Sequence, residues 1–403
     1  MTEPQNGEKV TTTIEAPESV AVEIPVRTGP CTLDTIVIGQ TGVQLDGVIA
    51  NGGFNVIRRA LEPTEGGCKI LHVVKHPIKQ RHIPPKEARR EFKRRCEELR
   101  RESLALARLK GHENIVAMGG YKRGLLLLEP LLYAEGWRPL SDYLGADDPS
   151  LTNSDLENLK INPAPQLKPA DIIQIAMGVV GGVKTINEAG LIHCDIKPDN
   201  IMIGRTENEG YLVKFIDFGS VLFEREDDHP AKNSDGKTVV TCSVPYASIE
   251  QLRDTFKIDQ RTDQFSLALV LSVLLFKKHP FYSEKEREEK RDLDTEARQE
   301  DYKKRLAISH PTLPSIRALE PVYRSLMRAN QVLPKHRHLD SSLFLEQLKQ
   351  DLYKIGTAPV TQETTPTGIG ARVVRMVSDW CTGTATHYVS PSTAAESSAP
   401  PGV

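Results

Sequence analysis

The chain has 403 residues and a formal net charge of -2, with a sequence pI near 6.6, a balance that gives no overall attraction to nucleic acid or to an anionic membrane. Hydrophobic residues make up 39% and charged residues 26%, which excludes a fibrous or wholly disordered chain and fits one large folded unit with flexible ends. Six cysteines without a CxxC pair argue against a zinc site or a disulfide framework, the longest apolar runs, such as Leu267 to Phe276, are about half a membrane span, and MTEPQNGEKV has no apolar signal core, so the chain reads as cytoplasmic.

Residues 1–33, rich in Thr, Glu, Pro and Val without a stable period, read as a flexible tail. Residues 34–129 then read as β-rich with one long helix, and residues 130–355 as mostly helical, so the expected class is α+β with a β-rich lobe followed by a helical lobe. In VIANGGFNVI, Val48 to Ile57, an Asn-Gly turn sits between alternating apolar residues and predicts a β-hairpin. KILHVVKHP continues the strand pattern and ends its apolar run on Lys75. A helix is predicted from Pro85 to Leu109, opened by prolines suited to a first turn, with Phe92, Cys96, Leu99, Leu106 and Leu109 on one stripe. Glu102 falls on that stripe, and a carboxylate on an inward face calls for a cation. Arg89, Arg90, Lys93, Arg94 and Arg95 form a basic face on the same helix that reads as solvent-facing.

GLLLLEPL, Gly124 to Leu131, reads as a further strand. Ser283 to Lys304 is dense in both charge signs and predicts one solvated helix with internal ion pairs, with partner docking as a second reading. Residues 356–403 are rich in Thr, Ser, Pro, Gly and Ala and read as a second tail. Within that tail Ile369, Val373, Val377 and Trp380 recur at helical spacing, the pattern of a short amphipathic docking helix or of a frayed or locally packed segment.

The most informative stretches are LIHCDIKPDNIMI, from Leu191 to Ile203, and VKFIDFGS, from Val213 to Ser220. Here the chain resembles the protein kinase family: the first matches HRDxKxxN with His193, Asp195, Lys197 and Asn200 in register, and the second matches DFG at Asp217, Phe218 and Gly219. The resemblance implies a two-lobed kinase fold, ATP and Mg²⁺ as cofactors, and protein substrates. It makes Asp195 the residue that orients the acceptor hydroxyl, Asn200 and Asp217 the metal ligands, and Lys197 a contact to the γ-phosphate that marks the serine/threonine type. Lys75, in HVVK, takes the place of the family's phosphate-binding lysine and pairs with Glu102, Lys69 being the competing assignment.

By the same resemblance, Ala50, Gly52, Gly53, Asn55 and Ile57 form the phosphate-covering turn, in a pattern that departs from GxGxxGxV at Ala50, Asn55 and Ile57. Leu128 stands as gatekeeper, backbone groups of Glu129 to Leu131 face adenine, and Ile57 and Met202 are its apolar ceiling and floor. TCSVPYASIEQL resembles the peptide shelf, where the Ser243 hydroxyl meets Asp195 and Lys197. Glu250 is expected to pair with Arg337, and Asp263 to hold the loop around His193. Ile249 and Phe265 depart from the family's proline and tryptophan. The arginine between His and Asp is Cys194, so the loop lacks the usual receiver of an activation-loop phosphate. Cys194 and Cys242 read as independent thiols rather than a redox pair. Two rival functions stay open: a pseudokinase scaffold, suggested by the irregular turn, and a small-molecule kinase of related fold, against which Lys197 and the shelf speak.

Overall fold

The computed structural model describes residues 13–14, 35–38, 41–51, 55–64, 67–77, 84–122, 124–130, 137–206, 210–224, 243–253, 257–291 and 295–357. Gly52, Gly53, Leu131 and Cys242, and nearly all of the two expected tails with the Ile369–Trp380 stripe, lie outside the described residues.

Strands β1 (Thr13–Ile14), β2 (Thr35–Ile38), β3 (Thr41–Asn51), β4 (Asn55–Thr64) and β5 (Gly67–Pro77) precede helix α1 (Pro85–Arg108), and β6 (Met118–Lys122) and β7 (Leu125–Leu128) follow it. All seven strands join one sheet in the order β1-β2-β3-β4-β5-β7-β6. The central register sets Ile57 opposite Lys75 and Lys75 opposite Leu126. A lysine in the middle of a sheet is thus flanked by apolar neighbours on both sides. Helix α1 covers the sheet with Leu99, Leu106 and the adjoining Leu109 buried, and Glu102 is buried with them. Prolines at its start are tolerated because first-turn amides have no helical acceptor.

The second lobe opens with β8 (Arg138–Pro139), α2 (Leu140–Leu144), α3 (Asn153–Ile161) and α4 (Pro169–Glu188). Next come β9 (Leu191–Ile192), β10 (Ile201–Arg205), β11 (Tyr211–Phe215) and β12 (Leu222–Phe223), then α5 (Ile249–Leu252), α6 (Gln260–Phe276), α7 (Glu284–Lys290), α8 (Thr295–Ile308), α9 (Glu320–Ala329) and α10 (Ser341–Thr357). Helix α6 is buried from Thr262 to Phe276 on every face, the state expected of a central core helix. By length and hydropathy α4 is also apolar enough to cross a membrane, but Ile175, Val179, Val183 and Ile186 are fully buried in the protein core. Gly182 lets α4 approach β11, since a Cβ there would collide with the Phe215 ring.

The stretch from Ser283 to Lys304 differs from the single solvated helix predicted. It forms two helices, with exposed internal pairs Lys285–Glu289 and Lys304–Glu300 as expected, but two of its arginines turn inward. Arg287 donates to the Asp147 carbonyl at 2.7 Å and Arg291 to the Ala146 carbonyl at 2.7 Å, while Tyr302 is fully buried and stacks on Tyr282. Charge density hid this because a guanidinium that caps backbone carbonyls looks in sequence like one that faces water.

Arg337 locks the second lobe. It is fully buried and donates to both Glu250 oxygens, at 2.6 and 3.0 Å, and to the carbonyls of Gln331, Arg261 and Val332. All of its donor groups are engaged, and the guanidinium lies over the Phe265 ring. Because removing one partner strands a buried charge, Arg337→Leu is expected to lower unfolding stability by about 3–5 kcal/mol, read as a shift in denaturant midpoint. Pairing it with Glu250→Leu should recover part of the loss.

Candidate active site

Strand β5 delivers Lys75 to the site, helix α1 delivers Glu102, and the turn after β11 delivers Asp217. Lys75 Nζ lies 2.9 Å from Glu102 Oε2 and 2.7 Å from Asp217 Oδ1. The Glu102 carboxylate also accepts the Phe218 amide at 3.2 Å, so one buried side chain ties the helix to both the sheet and the DFG turn. Burial works against the charge of Lys75, yet Asp217 and Glu102 outweigh it and hold the ammonium above the ordinary lysine value. Desolvation also opposes the charge of Asp217, whose side chain is 45% exposed, but Lys75 holds it well below the usual carboxylate range. Burial wins at Glu102, where the carboxyl is raised in spite of Lys75.

A second cluster forms on the loop between β9 and β10. Asn200 donates its amide nitrogen to the Asp195 carboxylate at 3.0 Å and to the Asp195 carbonyl at 2.9 Å. Lys197 Nζ lies 3.0 Å from Asp195 Oδ2 and donates to the Ser243 hydroxyl at 2.6 Å. The predicted contact from that hydroxyl to Asp195 is not made. Asp195 instead accepts the Ser243 backbone amide at 3.1 Å, while the hydroxyl oxygen accepts from Lys197. Thus the shelf is anchored by main chain as well as side chain.

The loop itself is strained and held. Cys194 has φ 64, a conformation unusual outside glycine. Its amide donates to Asp263 Oδ1 at 3.0 Å and its carbonyl accepts from Gln251 Nε2 at 2.5 Å. The other Asp263 oxygen takes the His193 amide at 2.8 Å. Asp263 is fully buried, and burial lifts its carboxyl to about 6 although two amides oppose the shift. His193 packs against Phe218 with ring centroids 4.9 Å apart and accepts the Asp195 amide on Nδ1.

Of the nucleotide-facing residues named from sequence, Ala50 sits opposite Ile57 across the β3–β4 pair and Asn55 opens β4, while Gly52 and Gly53 lie outside the described residues. Ile57 is half-buried and Met202 fully buried in the core of the second lobe. Glu129 carries a feature sequence did not reveal. Its amide donates to the Ala117 carbonyl at 2.9 Å, and its carboxylate accepts the Ala117 amide and Lys214 Nζ, the latter at 2.6 Å. Among the described residues no three His, Cys, Asp or Glu converge as a metal cage. The carboxylate of Asp217 and the amide oxygen of Asn200 are the hard donors at hand, a pair that suits a cation bringing its own further ligands.

Residues 69–337 match the family model described as protein kinase domain. The serine/threonine-protein kinase pkn3 of Myxococcus xanthus is 26% identical over 246 residues, 60% of this chain and 39% of that protein. A probable serine/threonine-protein kinase, PknB of Bifidobacterium longum, is 36% identical over 123 residues, 30% of this chain and 16% of that protein. Serine/threonine-protein kinase 16 of Mus musculus is 27% identical over 187 residues, 46% and 58% respectively. Each alignment thus spans less than two thirds of the relative's length.

Burial depresses His193 to about 4 against an ordinary value of 6.5. Its contribution to stability is therefore complete above pH 6.5 and is lost as pH falls toward 4. His193→Gln, which retains an acceptor and does not titrate, is expected to melt below wild type at pH 7.5. The gap in stability should close by about 1.4 kcal/mol per pH unit below 6.5, seen in melts from pH 7.5 to 5.

Proposed function

The chain belongs to the protein kinase family, and from that premise we infer that it transfers the γ-phosphate of ATP to serine and threonine hydroxyls of other proteins. The observation that carries this reading is the Lys75 ammonium held between Glu102 and Asp217, three residues that sequence separates and the fold unites. The names of these three relatives, each a serine/threonine-protein kinase, support the substrate class, as does Lys197 on the Ser243 hydroxyl.

In this reading Asp195 accepts the hydrogen bond of the incoming hydroxyl and points it at phosphorus. Its carboxylate is already oriented by Asn200 and the Ser243 amide, so little reorganisation is needed when substrate arrives. Lys75 grips the α- and β-phosphates, and Glu102 fixes where that ammonium points. Lys197, 3.0 Å from Asp195, places positive charge beside the phosphoryl being moved. Asn200 and Asp217 would hold Mg²⁺, which when bound neutralises phosphate charge. Asn200 fits because its nitrogen is used on Asp195, which turns the amide oxygen away as a donor. Ala50, Gly52, Gly53, Asn55, Ile57 and Met202, with the backbone of Glu129 to Leu131, are the proposed nucleotide contacts.

Turnover is proposed to be independent of activation-loop phosphorylation. Cys194 is buried at 1% exposure among Ile192 and Leu222, an apolar thiol standing where a phosphate-pairing cation would be. Replacing Ser234, Thr238 and Thr241 together with alanine should leave most of the activity; near-complete loss would contradict the proposal.

Incubation with radiolabelled ATP, Mg²⁺ and a mixed protein substrate tests the main reading. Wild type should label serine and threonine, and Asp195→Asn should lose at least about 100-fold in rate. Equal signals from both proteins, or none from either, would favour a scaffold without turnover.

A further inference from the structure

Between α2, α3 and the start of α4 lies a half-open cavity of about 700 Å³, within the size range of ligand sites. Its walls include Tyr143, Leu156, Leu159, Leu167, Ile172 and Leu274, and none of the residues assigned to phosphoryl transfer lines it. Helix α3 stands out here, because none of its residues is buried. A short helix with no buried face draws little stability from tertiary packing. Leu156 and Leu159, its two cavity-lining apolar residues, are only half-buried, so among the described residues the cavity is where the apolar side of α3 is left uncovered.

We propose that this cavity is the docking site for the chain's own C-terminal segment, Ile369 to Trp380. Helix α10 ends at Thr357, and Gly356 in its last turn packs on α4, where an added Cβ would stand 3.1 Å from Ile173 Cγ2. Ile173 is the chain neighbour of Ile172 in the cavity wall. The described chain therefore ends against α4, the helix whose first turns supply part of the cavity wall. Eleven residues, 358 to 368, separate that end from Ile369, and an extended linker of that length reaches up to about 40 Å. Such a tether also raises the effective concentration of the segment to about the millimolar range, so a weak apolar contact is sufficient.

The segment's composition fits the walls. Ile369, Val373, Val377 and Trp380 recur every three or four residues, which on a helix forms a single apolar ridge facing one groove. Arg372 and Arg375 fall off that ridge. Among the described residues Asp142 on the wall makes only a long contact with Arg138, at 3.5 Å, and offers one of them a partner. This inference is independent of the phosphoryl-transfer reading and can fail without it.

Hydrogen exchange on the full chain tests it. In wild type, residues 369–380 and α3 should both be protected. Val373→Asp with Val377→Asp should speed exchange of both segments by at least about tenfold while leaving α6 unchanged. Leu159→Asp, which alters only the wall, should release 369–380 as well. The tail variant substitutes no described residue, so its outcome does not depend on the folded lobes tolerating a change. Exchange of 369–380 at the unstructured rate in wild type, or no change of α3 in the tail variant, would overturn the proposal. So would protection that rises with protein concentration, which would mark the occupant as a second copy.

Discussion

One buried ammonium shared by two carboxylates organises this protein. Lys75 sits in a sheet between apolar cross-strand neighbours, where a lone cation would be costly. Glu102 removes that cost from one side and Asp217 from the other. Because the three come from β5, α1 and the turn after β11, satisfying the charge also fixes the sheet, the covering helix and the second lobe relative to one another. The pair of acids leaves the cluster one negative charge in excess, a state that a divalent cation at Asp217 would relieve.

The same logic of answering each buried polar group recurs below the cleft. Asp263 takes two amides of the loop that carries Asp195, and Gln251 takes the carbonyl that the left-handed turn at Cys194 turns outward. Arg337 and Glu250 perform the equivalent role for the shelf. These contacts make a strained loop the lowest-energy arrangement, so Asp195 is oriented before any substrate binds.

Much of this was legible in the sequence. Glu102 on an apolar stripe asked for a cation, Lys75 at the end of an apolar run supplied one, and the spacing of Asp195, Lys197 and Asn200 carried over intact. What stayed hidden has a common cause. Sequence periodicity reports which face a residue occupies, not which backbone group it meets. Thus the Phe218 amide on Glu102, the Ser243 amide on Asp195 and the Ala117 amide on Glu129 were not foreseen. For the same reason the Ser283–Lys304 stretch read as a solvated helix, although Arg287 and Arg291 cap carbonyls of the loop after α2.

The central claim is that Lys75, fixed by Glu102 and Asp217, is the grip on a nucleotide's phosphates. Calorimetric titration of wild type and Lys75→Met with ATP in the presence of Mg²⁺ measures it directly. A charge-assisted contact of this kind is worth about 1.5–3 kcal/mol, so the variant should bind about 10- to 150-fold more weakly. Unchanged affinity would mean that the ammonium serves only to close the fold, and the account would fail.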